Sequence, residues 1–368
     1  MKRIVLVLLS AGILLLTGCG KSEVNNVDNT SADSFYMDFK NNIVTESDKG
    51  YYFWECMNLD PGFSRLLFMD KESRQVVPLC NKPDCDHTTK ECNAYYPEIE
   101  TGKEWIEKRY LQYYQGNLYV IGCDEEGYVS LYMIKEDGSE WERSTQLFRA
   151  DFATSGRWTD PEVLIAEGYI YFIDCGQENR KLERIKIEGK DSEIVYDGED
   201  EAINSVYRMK EYGEYVYFQS LSFLEGDSEN AVGGLYRCDA AGQCELVKEG
   251  LIGPYAIKED KVYYGNEKGI CCYSLTEETE TVLNEEPQTI PDVTLTDDYI
   301  VLCYSDNCET ILYDYEGNEI ETVGASFDGM MYYGGDAENL FAEFCNAGEM
   351  DSWYILDTKK DNLSWEKL

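Results

Sequence analysis

From residue 50 onward, short runs of aromatic and β-branched residues recur at even spacing, each bounded by Gly, Asn or acidic turns. One set reads Tyr51-Tyr52-Phe53, Leu118-Tyr119-Val120, Ile170-Tyr171-Phe172, Val216-Tyr217-Phe218, Val262-Tyr263-Tyr264, Ile300-Val301-Leu302 and Met331-Tyr332-Tyr333. Each has a partner run behind it: 66–70, 131–134, 182–185, 235–238, 270–273, 311–314 and 353–356. Turns such as Glu136-Asp137-Gly138, Glu188-Gly189, Asp239-Ala240-Ala241-Gly242 and Glu316-Gly317-Asn318 suit antiparallel hairpins. Beyond residue 20, only Lys103 to Leu111 has a helical period. The pattern predicts an all-β fold of seven repeated units.

One small antiparallel sheet cannot bury both of its faces, so the units must pack on one another. The economical arrangement is a β-propeller of four-stranded blades, about seven of them, with six or eight also admissible. Two separate β-sandwiches are the alternative. The even repeat and the lack of a dividing linker disfavour them.

The N-terminus has a different pattern. Lys2 and Arg3 precede an uncharged, mostly apolar run from Ile4 to Leu16. Thirteen residues are short for a roughly 30 Å hydrocarbon core but suit the core of a signal peptide. Leu16-Thr17-Gly18-Cys19 follows and resembles the lipobox of bacterial lipoproteins. That resemblance implies cleavage before Cys19, a diacylglycerol on its thiol, and location on the extracytoplasmic side of the cell membrane. Two or three acyl chains would anchor the chain firmly, since each buried CH₂ contributes about 0.8 kcal/mol. The expected division is therefore 1–18 signal peptide, 19–47 lipidated Cys19 and flexible linker, and 48–368 propeller. A Cys/His-rich insert at 78–108 interrupts the propeller.

Composition narrows the partners. The chain has 32 Lys+Arg against 72 Asp+Glu, a net charge of −40. Losing residues 1–18 removes two cations and no acid, which leaves −42. A protein that tracks phosphates needs a basic footprint, so nucleic acid is not an expected partner. A 43% hydrophobic content excludes disorder over most of the length. The repeat predicts that the acids fall mainly in hairpins and inter-blade loops. Runs such as Glu277-Glu278-Thr279-Glu280 read as solvated loops.

The Tyr-rich repeat, with Ile170-Tyr171-Phe172-Ile173-Asp174 as its fullest unit, resembles the YWTD-type propellers of the low-density-lipoprotein-receptor-related kind. Combined with the lipobox and the cysteine cluster below, the chain resembles a family of uncharacterised bacterial lipoproteins carrying such a propeller. That resemblance implies a fold and a location, but no activity.

Residues 80–92 hold Cys80, Cys85, His87 and Cys92, spaced Cys-x4-Cys-x-His-x4-Cys, and His87 is the only histidine in the chain. Three thiolates and one imidazole make a complete tetrahedral set for structural Zn²⁺. The same residues could instead form one disulfide and a free thiol, or hold an iron–sulfur centre. If Cys19 is acylated, thirteen of the 14 cysteines remain. Cys238 with Cys244 and Cys303 with Cys308 each flank a hairpin and are candidate disulfides. Cys271-Cys272 would point to opposite faces of a strand. Cys56, Cys123, Cys175 and Cys345 read as small buried hydrophobes.

The chain carries no Gly-x-Ser-x-Gly, phosphate-binding loop, His-Glu-x-x-His or EF-hand pattern, and no catalytic residue is assigned. Trp105, Trp141 and Trp158 read as packing residues between blades, with sugar stacking as the alternative. The expectation is a monomeric, non-enzymatic binding or scaffold module for a protein, peptide or glycan. The alternative is an envelope hydrolase using paired carboxylates in the propeller funnel.

Overall fold

The computed structural model describes residues 43–55, 65–89, 91–95, 110–123, 127–149, 162–174, 180–198, 203–224, 227–285, 292–304, 309–324, 330–344 and 352–368. Cys19, the expected signal peptide and the linker up to residue 42 lie outside the described residues. So do Cys56, Cys175, Cys308, Cys345, Trp105, Trp158 and residues 103–109 of the expected helical stretch.

The described residues contain 28 strands in seven four-stranded antiparallel sheets, and no helix. Each sheet is one blade, with its strands side by side in chain order. Blade 1 is β1 (Val44–Glu46), β2 (Gly50–Glu55), β3 (Arg65–Asp70) and β4 (Val76–Pro78). The first strands of the other blades are β5 (Leu111–Tyr114), β9 (Glu162–Ala166), β13 (Ile203–Tyr212), β17 (Tyr255–Lys258), β21 (Asp292–Leu295) and β25 (Met330–Gly335). These first strands surround the axis: β1 neighbours both β5 and β25, β9 neighbours β13, and β17 neighbours β21.

The apolar runs are nearly continuous because the strands behind the first are covered on both faces. In β2 every residue from Gly50 to Trp54 is buried. Period two then sends alternate residues to opposite seams. Val163 and Ile165 face blade 2, whereas Leu164 and Ala166 face blade 4. Ile300 and Leu302 face blade 5, whereas Val301 and Cys303 face blade 7. Seven apolar clusters result, one at each seam.

Three expectations change. The propeller starts before residue 48, because Val44–Glu46 is already the axial strand of blade 1. In six blades the Tyr-rich run is the second strand, but in blade 7 Met331-Tyr332-Tyr333 belongs to the first, β25. The second strand there is β26 (Asn339–Phe344), which lacks tyrosine and so breaks the pattern. The acids also extend beyond the loops. Outermost strands carry them, as at Glu319 and Glu321 in β24 (Glu319–Gly324), where charge and exposure protect an open sheet edge. Glu280 in β20 (Glu280–Asn284) is no solvated loop residue. It accepts a hydrogen bond from the Tyr264 hydroxyl and pairs with Lys268 and Lys248, contacts that hold its pKa down to about 2.

Candidate functional site

Two places gather chemically capable side chains: the outer edge of blade 1 and the axis of the ring.

At the outer edge, β4 is only three residues long, and the chain then makes a knuckle over 79–95. Both ends of the knuckle fasten to one residue of β3. The Leu79 N–H donates to the Leu66 carbonyl (2.9 Å), and the Leu66 N–H donates to the Ala94 carbonyl (2.8 Å). Tyr95 bridges back to Arg65. Tight internal turns, Cys85 N–H to Lys82 O (3.3 Å) and Cys92 N–H to Thr89 O (3.0 Å), bring the ligand candidates together. His87 takes a left-handed backbone (φ 58°), and its carbonyl accepts from the Tyr95 hydroxyl (3.1 Å).

The donor atoms of Cys80, Cys85, His87 and Cys92 all lie within 4.8 Å of one another, with His87 Nδ1 3.2 Å from Cys92 Sγ. Four donors around a tetrahedral ion with 2.3 Å metal–sulfur bonds stand about 3.8 Å apart. The cluster therefore has the donors and the spacing to hold a metal. Burial pushes the Cys80 thiol up, but N–H groups of Lys82 and Asn93 and its cysteine neighbours outweigh this and leave it below the usual thiol range. Burial raises Cys92 to about 12.

The axial strands enclose a cavity of about 410 Å³. On one side of it, blades 1 and 7 meet through a carboxyl pair. Glu46 and Asp336 are close enough to perturb each other's ionisation. Asp336 also accepts from the Tyr51 hydroxyl (2.5 Å) and the Asn339 N–H (2.7 Å), and Glu46 faces Lys71 (3.3 Å). Burial and the neighbouring Asp336 raise the pKa of Glu46. Burial works against ionised Asp336 too, but donation from Tyr51 and the Glu338 and Asn339 amides prevails and lowers its pKa.

Across the cavity, a bulge in β13 places Arg208 in the left-handed region (φ 54°). Its N–H donates to Glu162 (2.8 Å), and the Met209 N–H does so as well. Burial raises the pKa of Glu162 despite these donors. The Arg208 guanidinium reaches Gln219 Oε1 and the Ile252 carbonyl, both at 3.2 Å, and Lys210 Nζ reaches the Tyr255 carbonyl (2.7 Å). Lys210 therefore ties blade 4 to blade 5, while Arg208 fastens the connection that leads from one to the other.

The remaining cysteines divide. Cys238 and Cys244 form a disulfide across the hairpin joining β15 (Asp227–Cys238) and β16 (Cys244–Glu249), with Cα atoms 4.2 Å apart. The enclosed turn rests on Arg184 of blade 3, which donates to the Ala240 carbonyl (3.0 Å) and lies 4.3 Å over the Tyr169 ring. Cys303 is a free thiol, contrary to the expected bridge. Its strand position points it inward against Leu312 and Leu340, and Cys308 lies outside the described residues. Cys271 and Cys272 are both free and face the seams on opposite sides of blade 5. Cys123 ends β6 (Asn117–Cys123). Trp141 packs at the seam between blades 1 and 2 and donates to the Asn93 carbonyl (3.1 Å).

Sequence reading missed Glu46, Tyr51, Arg208 and Asp336 as axial residues. Glu46 was assigned to the linker. Residues from distant blades converge at the axis only through ring closure, and no local spacing marks them.

No family model matches the sequence, and no curated protein is similar to it. Among solved structures, a puromycin hydrolase complexed with PGG matches at TM-score 0.58 and 11% identity, over 91% of this chain and 55% of that one. A structure from a study of two prolyl endopeptidases matches at 0.54 and 12%, over 90% and 50%. A nidogen/laminin complex matches at 0.45 and 14%, over 76% and 95%. The chain thus spans about half the length of the two enzyme structures, and likeness at such identity is one of fold: a seven-bladed β-propeller.

Proposed function

We propose that the chain is a lipid-anchored, extracytoplasmic binding module whose propeller presents a recognition surface to a protein, peptide or glycan, with zinc in the Cys80–Cys85–His87–Cys92 centre. The leader and Leu16-Thr17-Gly18-Cys19 support the anchor. The observation that carries the binding reading over hydrolysis is the engagement of Asp336 by Tyr51 and of Glu46 by Lys71. Glycoside hydrolysis needs carboxyl groups about 5–5.5 Å apart for a covalent intermediate, or about 6.5–9.5 Å apart to admit a water. Here the Tyr51 hydroxyl and the Asn339 N–H take up Asp336 and Lys71 takes up Glu46, so the pair is engaged in joining two blades rather than free to work on a sugar. The donor set favours zinc, since thiolate and imidazole together suit that ion and a four-ligand site leaves no open position for substrate.

One sequence of measurements tests the reading. Wild type should fractionate with membranes and Cys19→Ser should be released. The released protein should then bind a subset of a glycan or peptide array without altering it. Retention of Cys19→Ser in the membrane overturns the anchor. Cleavage of an array ligand, abolished by Asp336→Asn, overturns the binding-only reading.

A further inference from the structure

The knuckle is built inside out. Between Cys80 and Cys92, the described residues Asn81, Lys82, Pro83, Asp84, Asp86, Thr88, Thr89 and Glu91 are all exposed, while the four ligand candidates turn inward and Cys92 is buried. Its buried cluster consists of Cys92, Ala94 and Tyr95, with Cys80 and Cys85 packed against them. The inside of the segment is therefore its own donor set. Without an ion, three polar thiols and an imidazole would be brought together for little apolar burial, too little to offset the cost of ordering the chain, about 1–2 kcal/mol per residue.

The knuckle also lies against blade 2. The Asn93 carbonyl accepts from Trp141 Nε1 in β8 (Trp141–Arg149) at 3.1 Å, and the Asn93 amide reaches the Ser139 carbonyl at 3.5 Å. Gly138, at φ +72°, lies so close that any Cβ there would collide with the Leu79 carbonyl. The segment thus completes the outer edge of β3 with one side and meets the β7–β8 hairpin with the other, β7 being Tyr128–Lys135.

We infer that one zinc ion, held by Cys80 Sγ, Cys85 Sγ, His87 Nδ1 and Cys92 Sγ, locks the seam between blades 1 and 2 by ordering the segment that finishes the outer edge of blade 1. This rests on the zinc assignment proposed above and adds what the ion does. On binding, Zn²⁺ displaces three thiol protons to solvent and accepts the lone pair of neutral Nδ1, giving a centre of net charge −1. The N–H groups of Lys82 and Asn93, directed at Cys80, offset part of that charge. The closed site has no catalytic part.

The mature protein tests this directly. Elemental analysis should give about one zinc per chain. Chelation should raise amide exchange at Leu66, Leu79 and Tyr95 at least tenfold. It should leave β26, across the seam between blades 1 and 7, within twofold, and added zinc should reverse the change. Cys92→Ser should lose the metal, whereas Cys272→Ser should keep it. Less than a tenth of a zinc per chain, or a mass deficit showing a disulfide among Cys80, Cys85 and Cys92, overturns the zinc assignment itself. One zinc per chain with unchanged exchange at Leu66 and Leu79 after its removal leaves that assignment standing and overturns the lock. Both arms use wild-type protein, so a variant that fails to fold costs neither.

Discussion

Blade 1 has two neighbours and is joined to them in opposite ways. Toward blade 2, the junction combines an apolar cluster around Tyr52, Trp54 and Leu118 with a knuckle whose donors all come from thirteen consecutive residues. Toward blade 7, it joins positions almost 300 residues apart. Tyr51 reaches Asp336, Trp353 Nε1 donates to the Trp54 carbonyl (2.7 Å), and Arg74 pairs with Asp357 (2.9 Å). Among the described residues no strand is exchanged between the first and last blades, and these side chains and the cluster beneath them join the two. Local chain connectivity keeps the first junction's partners near one another, whereas the second must overcome the loop-closure entropy of the whole propeller. A local junction can depend on one ion. The long-range junction depends on buried area.

The largest test of that contrast is Phe53→Ala. Phe53 is fully buried, with its ring 5.0 Å from Trp353. Removing it should cost about 3–5 kcal/mol in chemical denaturation, as for other buried Phe-to-Ala changes. If the knuckle holds zinc as proposed, its content should stay at one per chain, because the knuckle touches the other side of the blade. A fall in zinc alongside stability would show that the two junctions are one cooperative unit.

Tyr51→Phe probes the polar part of the same closure. It removes the donor to Asp336 and the acceptor for Asn339 Nδ2 (2.9 Å) while keeping the ring packed against Phe341. The expected loss is about 1–3 kcal/mol, the cost of stripping a partner from a buried polar group. Asp336 should also titrate closer to the ordinary range, visible by NMR. A stability loss below about 0.5 kcal/mol would mean that water replaces the hydroxyl and that apolar packing alone closes the ring.

The same contrast explains what could be read from the chain. Seven units, their hairpins and the donor set at 80–92 are local features, and turns and spacing reveal them. Val216-Tyr217-Phe218 marks a strand wherever it lies in the ring. The axial residues carry no such mark: Glu46 falls within the expected linker, and Asp336 is one acid among 72. Met331-Tyr332-Tyr333 misled because Tyr content stood in for strand position, while the true second strand of blade 7 is Asn339-Leu340-Phe341-Ala342-Glu343-Phe344. The knuckle's geometry was likewise hidden. Spacing revealed four donors but not that Leu66 fastens both ends of the segment.

The smallest effect concerns pH at the carboxyl pair. Glu46 has a raised pKa in the folded chain, through burial and Asp336, so its contribution is fully present below the ordinary glutamate value and is lost as pH rises through the folded one. Asp336 has a lowered pKa, so its contribution is present above the ordinary aspartate value and is lost as pH falls through the folded one. The two limbs leave the closure strongest where they overlap, between the ordinary aspartate and glutamate values. Glu46 is half exposed and paired with Lys71, so solvent screens the effect and the melting temperature should move by no more than about 2 °C on the alkaline limb. Glu46→Gln, which keeps a donor for ionised Asp336, should flatten that limb and leave the acid limb in place. Chelation of the proposed zinc should shift the whole curve without changing either slope. If Glu46→Gln leaves the alkaline limb unchanged, the proton is not shared across the seam and Asp336 is held by Tyr51 and the backbone amides alone.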